Sequence, residues 1–252
     1  MTLLWVLLGC KRVEPAPEAL DDLFHFVWAH YDDEGDEALV DAVHKLDLAV
    51  DGGDLEPPDG TVSDLTDAEI ALVGVTDRSA AAASGVFIVN RFPCSPGQLE
   101  RILSHDAQDE LYEGVYESYA RDFDSPASGW LSGSAARLSY DISYRADPPV
   151  GSAYDANSRG DLRRVDVDAV IQRSVLPEPA VFDGDGNSYL DQDYQLEVYI
   201  PVGGEIVHVY AMWRDANFSG FSMADESFQR IVINNMLDWD DQTAKLCDEG
   251  RP

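Results

Sequence analysis

Tyr194-Gln195-Leu196-Glu197-Val198-Tyr199-Ile200-Pro201-Val202-Gly203-Gly204-Glu205-Ile206-Val207-His208-Val209-Tyr210-Ala211-Met212-Trp213 is the stretch that decides the fold. Tyr194, Leu196, Val198 and Ile200 alternate with other residues at the two-residue period of a strand, and Gly203-Gly204 reads as a tight hairpin turn into a second strand. Ile206 to Trp213 is apolar on both faces, which predicts a central strand. A long helix over about residues 223–246 follows, with Ser222 as its cap and Asp225 and Glu226 in its first turn, where the helix dipole favours anions. Phe228, Ile231, Val232, Met236, Trp239, Thr243 and Leu246 form one stripe along it, which needs a broad apolar surface to cover. A sheet with one greasy face would provide that surface.

Upstream, Val86-Phe87-Ile88-Val89 is a short apolar strand. Ser95-Pro96-Gly97-Gln98 then supplies a cap, a proline at the first helical position and a glutamine at the third, so a helix carrying Leu99, Ile102 and Leu103 begins there. Leu138, Tyr140, Ile142 and Tyr144 alternate with polar residues as a half-wet strand does, and Val165, Val167 and Ala169 repeat the alternation. Towards the N-terminus, Leu20, Leu23, Phe24, Val27 and Tyr31 recur at helical spacing, as do Leu39, Val40, Val43 and Leu46, so residues 17–50 read as a helical hairpin. Asp51 to Gly60 reads as a turn-rich linker, and Thr66 with Glu69 forms a capping box for a short helix. A composition shift near residue 84 divides a front section, 20–84, from an α+β domain, 85–252.

The formal net charge is -31, with three lysines, Lys11, Lys45 and Lys245. Such a surface repels phosphate backbones, so the sequence argues against nucleic acid as a partner, and it favours cations, basic partners or a salty medium. The 45% hydrophobic content is enough for a sizeable core and excludes a disordered acidic tail.

Leu7-Leu8-Gly9-Cys10 closes an apolar run too short to span a bilayer, and it resembles the lipobox of bacterial lipoprotein precursors. That resemblance implies that residues 1–10 contain the signal, that Cys10 is the lipidated first residue of the mature chain, and that residues 11–19 are a tether. It places the protein in the cell envelope, anchored to the membrane by lipid and facing the periplasm or the surface. No Lys or Arg precedes the apolar run, a departure from such signals. Cys94 and Cys247 remain. In an exported chain they join as a disulfide, worth on the order of 4 to 5 kcal/mol for so long a loop, or stand as two separate buried thiols.

The order from Val86 to Leu246, an opening strand and helix, antiparallel strands and a long terminal helix, resembles the START-like (helix-grip) superfamily. The resemblance implies a curved antiparallel sheet wrapped on the C-terminal helix, with a cavity between them that takes an apolar small molecule, commonly without catalysis. It carries no catalytic signature to particular residues. The residues show no Gly-x-Ser-x-Gly turn, His-Glu-x-x-His or phosphate-cradling glycine loop.

His208, Tyr210 and Met212 share one strand face with Ile206 and are candidates to line such a cavity, joined by Tyr140 and by Arg214 as a contact for an anionic group. His208 equally suits a core histidine satisfied within the fold, and Arg214 a partner of one of the many carboxylates. Asp183, Asp185 and Asn187 open a glycine-rich loop in the manner of a calcium loop, which makes calcium the one candidate cofactor. Ser188 and Tyr194 depart from that pattern, and an acidic hairpin turn is the competing reading. Two functions of different class follow: a lipid-anchored protein binding an apolar molecule, and an interaction lipoprotein with a filled core and an unknown protein partner. A third, an enzyme, has Tyr140, Asp141 and His208 as material.

Overall fold

The computed structural model describes residues 14–51, 58–112, 114, 116–148, 151–165, 168–184 and 187–252. Cys10, Val167 and Asp185 lie outside the described residues. In chain order the elements are α1 (Leu20–His30), α2 (Glu37–Asp51), β1 (Asp59–Val62), α3 (Asp67–Leu72), β2 (Ser84–Pro93), α4 (Pro96–Leu103), β3 (Ser118–Phe123), α5 (Ala127–Leu131), β4 (Arg137–Ala146), β5 (Tyr154–Arg164), β6 (Val170–Val175), β7 (Val181–Phe182), β8 (Tyr189–Val202), β9 (Glu205–Phe218), β10 (Phe221–Ser222) and α6 (Glu226–Asp248). The fold is α+β. Its ten strands form one antiparallel sheet in the order β1-β2-β9-β8-β6-β5-β4-β3, with β10 beside β9 and β7 beside β5.

The β8–β9 hairpin is central, as its sequence predicts. Gly203 and Gly204 both take positive φ, +60° and +96°, the backbone a two-residue turn of the primed kind demands. Paired positions then share a face, from Val202 opposite Glu205 to Tyr194 opposite Trp213. On one side Tyr194, Leu196, Val198, Ile200, Val207, Val209, Ala211 and Trp213 pack in a single core with Leu23, Phe24, Val27 and Trp28 of α1 and Leu39, Val43 and Leu46 of α2. The other side faces α6, whose Phe228, Val232 and Met236 pack with Val86, Ile88, Tyr210 and Met212.

This arrangement corrects the origin of the greasy face. The alternating apolar residues of β8 cover the front helices, not α6, and the α6-facing positions of β8 are Asp193, Gln195, Glu197 and Tyr199. A strand's period fixes which residues travel together but not which face meets which layer. The front helices bury the more apolar set because their own stripes consist of large apolar side chains.

Three further expectations change. Val165 and Ala169 belong to the turn between β5 and β6, where the Val165 N–H donates to the Ala169 carbonyl at 3.0 Å. Asp59 and Gly60, expected as the end of the linker, instead open an edge strand on β2, Asp59–Val62. The terminal helix begins at Glu226 with Asp225 at its N-cap rather than Ser222, because Met223 is drawn into the core and its N–H reaches the Ala216 carbonyl, which keeps the preceding residues on the sheet. Within that helix Ile231 is 45% exposed, and Ile233 and Asp240 take buried positions instead. The capping boxes fare better: Thr66 and Glu69 exchange both bonds, and Ser95 Oγ accepts from the Gln98 N–H.

Cys94, just after β2, and Cys247, in the last turn of α6, are joined by a disulfide with Cα atoms 5.3 Å apart. It closes a span of 153 residues and ties the C-terminal end of α6 to the sheet and α4. In the double variant Cys94→Ala/Cys247→Ala the unfolding free energy is expected to fall by about 2–5 kcal/mol. Urea unfolding followed by far-UV circular dichroism checks this, and a midpoint matching the wild type would show that the crosslink contributes nothing.

Candidate functional site

The α6-facing side of the central strands carries a buried polar cluster built by strand register. Tyr199 stands opposite His208 and Glu197 opposite Tyr210 across β8–β9, and Gln172 of β6 stands opposite Glu197. α6 lowers Asp240 onto this row. His208 is 0% exposed, and its Nδ1 lies 2.7 Å from Asp240 Oδ1. Asn90 of β2 donates to the other oxygen of Asp240 at 3.0 Å. Glu197 accepts from Gln172 Nε2 at 2.6 Å and from the Tyr199 hydroxyl. The ring of His208 stacks on Tyr199 with centroids 4.2 Å apart and planes at 3°, and its centroid lies 5.4 Å from that of the Tyr210 ring.

Nε2 of His208 is 3.4 Å from Glu197 Oε2, close enough for ion pairing but without hydrogen-bond geometry. The electrostatics follow from this placement. Burial alone would push the imidazole towards its neutral form, but Asp240 and then Glu197 outweigh it and raise its pKa to about 9. At neutral pH the histidine is therefore a cation held between two carboxylates.

Beside this cluster Arg121 of β3 is buried with its guanidinium 4.5 Å from the Tyr140 ring centre, and it donates to the Leu103 carbonyl. Tyr140 lies over Gly160 of β5, where a Cβ would come within 2.3 Å of the ring, so the glycine makes the space the ring occupies. Burial pushes the Tyr140 hydroxyl well above the usual phenol range. On this side of the sheet Tyr140 Oη, His208 Nε2, Gln172 Oε1, Trp130 Nε1 and Gln98 Nε2 are buried without a hydrogen-bond partner.

The structure thus sets His208, Tyr210, Met212 and Arg214 on one face of β9, with Tyr140 on the same side of the sheet four strands away in the order β9-β8-β6-β5-β4. The Tyr210 hydroxyl donates to Gln195 at 2.8 Å, and Met212 packs in the apolar cluster beneath α6. Arg214 is committed to Asp193, at 2.7 Å from Nη2 to Oδ2, and Asp193 is itself buried rather than a surface carboxylate. Glu197, Asp240, Gln172 and Arg121 are the residues that sequence reasoning missed. A glutamate in the alternation of β8 and an aspartate inside the α6 stripe were the available signals, and each reads as solvent-facing until the opposing layer is known.

Elsewhere, Asp183 is bound by Arg145, which also holds Glu117 and Asp155, while Asn187 is exposed and Asp185 lies outside the described residues. Open grooves of about 610, 460 and 310 Å³ are lined by residues that include Asp36 and Arg163, Asp141 and Arg173, and Ser143 and Tyr144. His208 lines none of these three. Among the described residues no helix is long and apolar enough to cross a membrane.

No protein-family model matches the chain, and no curated protein matches it. Solved structures do. A STAR-related lipid transfer protein from Xanthomonas axonopodis is similar at 12% identity over 68% of this chain and 88% of that one, with a TM-score of 0.43. A START superfamily protein from Mycobacterium smegmatis is similar at 7% identity over 66% of this chain and 97% of that one, with a TM-score of 0.43. The human StarD13 lipid transfer and protein localization domain is similar at 11% identity over 81% of this chain and 97% of that one, with a TM-score of 0.43. At 7–12% identity these likenesses reach no individual side chain.

A folded-state pKa raised above the unfolded value makes the His208 contribution complete below about pH 6.5. It is lost as the pH rises through about 9. Wild-type stability is expected to drop by on the order of 3 kcal/mol between pH 6.5 and 9 from this group, and His208→Gln should remove that dependence. Urea unfolding at pH 6, 7.5 and 9 measures it, and equal pH slopes in wild type and variant would remove His208 as the cause.

Proposed function

We propose that the interior between the sheet and α6 holds a small amphipathic molecule, its polar group on the Glu197–His208–Asp240 row and its apolar part along Tyr210, Met212 and Phe228. The observation that carries this reading is the pair of buried atoms without hydrogen-bond partners beside Glu197, His208 Nε2 and Gln172 Oε1. A buried polar atom left unsatisfied costs about 1–3 kcal/mol. A polar group bound beside Glu197 would relieve both. The apolar cluster of Tyr210, Met212, Phe228 and Met236 adjoins the polar row and suits a hydrocarbon or ring. The polarity of Asp193, Gln195, Glu197 and Tyr199 makes a wholly apolar ligand a poorer fit than an amphipathic one. This reading assigns binding, and no bond-making step, to the interior.

The same proposal includes Cys10 as a lipid anchor that holds the domain at a membrane of the cell envelope, supported by the sequence Leu7-Leu8-Gly9-Cys10. Metabolic labelling with an alkyne fatty acid tests that part alone. A Cys10→Ala chain labelled as strongly as the wild type would overturn it.

A second reading has its own observation. His208 is fully buried beneath stacked tyrosines, and the three open grooves lie away from it, as a filled core requires. The acidic exterior would then serve to dock a protein partner.

Native mass spectrometry of the domain purified without detergent, compared with the denatured sample, separates the two. A small-molecule mass lost on denaturation and weakened in a Glu197→Gln variant is the expected result. A bare polypeptide mass, with no thermal shift from single-chain amphiphiles, would overturn the binding reading in favour of the filled core.

A further inference from the structure

On the opposite side of the sheet the front helices bring together three side chains from three elements. His25 of α1 has Nε2 2.9 Å from Ser63 Oγ and Nδ1 2.8 Å from Glu69 Oε1. Ser63 follows β1 directly and is exposed, while His25 and Glu69 are mostly buried, with side chains 20% and 15% accessible. The order hydroxyl, imidazole, carboxylate at hydrogen-bond spacing is the geometry that turns a serine into a nucleophile, and it is recognised by roles rather than by sequence position.

The parts are held from outside the trio. Glu69 Oε2 is fixed by the Thr66 N–H and hydroxyl, both at 2.7 Å, which leaves Oε1 free to orient the imidazole. The carbonyl of Ser63 accepts from Trp213 Nε1 at 2.7 Å, and its N–H donates to Asp21 Oδ1 at 2.7 Å. Asp21 Oδ2 also lies 2.6 Å from Ser63 Oγ, so it competes with His25 for the hydroxyl proton.

We propose that Ser63 is an activated nucleophile, with His25 as its general base and Glu69 as the positioning residue, and that it cleaves small uncharged or cationic esters at the protein surface. Asp21, hydrogen-bonded to Ser63, and the adjoining Asp64 repel anionic acyl groups. In the first step Ser63 Oγ bonds to the ester carbonyl carbon while its proton passes to neutral His25 Nε2. The bond to the leaving oxygen then breaks and that oxygen takes the proton, releasing the alcohol. Water attacks the acyl-serine by the same route, which frees the carboxylic acid and restores Ser63.

The charged groups facing His25 are Glu69 from α3 and Asp21 from its own helix. Their carboxylates, Glu69 foremost, raise its pKa against the pull of burial. When protonated, His25 donates to Ser63 and cannot take its proton, so reactivity should rise with pH as the imidazolium is lost.

The test uses the full chain with p-nitrophenyl acetate and a fluorophosphonate probe from pH 6 to 9, with the adduct located by peptide mass mapping. The expected result is one adduct, on Ser63, increasing with pH along the His25 titration followed by NMR. Ser63→Ala should abolish it, and His25→Gln should lower the labelling rate by roughly 100-fold or more with unchanged circular dichroism. If His25→Gln does not fold, the match between the wild-type pH profile and the His25 titration decides. A Ser63 adduct no faster than those on other serines, or a profile independent of His25, would leave the trio a purely structural tie between α1, β1 and α3.

Discussion

The β8–β9 hairpin is buried on both faces, and every other layer takes its position from that fact. Its side chains alternate between two interiors, Val207, Val209, Ala211 and Trp213 towards the front helices and Ile206, His208, Tyr210 and Met212 towards α6. A one-residue slip in pairing would exchange the two sets, placing Asp193 and Glu197 against Trp28 and Leu39. The two glycines of the turn hold the register by adopting backbone angles that a side chain would resist. One strand pair thus fixes two cores of different chemistry.

α6 is attached to this sheet by different means along its length. At its far end the Cys247 disulfide is covalent. Midway, Asp240 meets His208 and Asn90, and near the start Phe228, Val232 and Met236 rely on apolar contact. Burying two carboxylates and an imidazolium is costly in desolvation, and such groups are tolerated only where each has partners. What they confer is specificity of placement, because a helix slid by one turn would leave Asp240 facing hydrocarbon without a cation. The chain has 17 lysines and arginines against 48 acids, and several arginines are spent inside the fold, among them Arg121 on Tyr140, Arg163 on Asp36 and Arg214 on Asp193.

The front section is more than a cover for the sheet. Its first strand extends the sheet edge, its helices complete the core on the outer face, and the Thr66–Glu69 capping box both starts α3 and holds the carboxylate that orients His25. Local backbone chemistry and side-chain placement are linked there through a single glutamate.

Much of this was legible in the amino-acid order because it depends on short-range periodicity and stereochemistry. The β8–β9 turn, the Ser95 and Thr66 caps, the two front helices and the long terminal helix all follow from patterns within about ten residues. β5 was not legible, since Tyr154 to Arg164 carries arginines and aspartates whose partners, such as Tyr31 and Asp36, lie far away in sequence. The same holds for the polar row. His208 stood out as an ionisable residue in an apolar strand, but Glu197 and Asp240 looked like ordinary wet positions. By itself the sequence determined the elements, the centrality of one hairpin and an acidic chain of α+β class. Only the tertiary structure decided which face of that hairpin met which helices, and so which charges were buried together, because burial depends on the opposing layer and no strand carries that information in its own period.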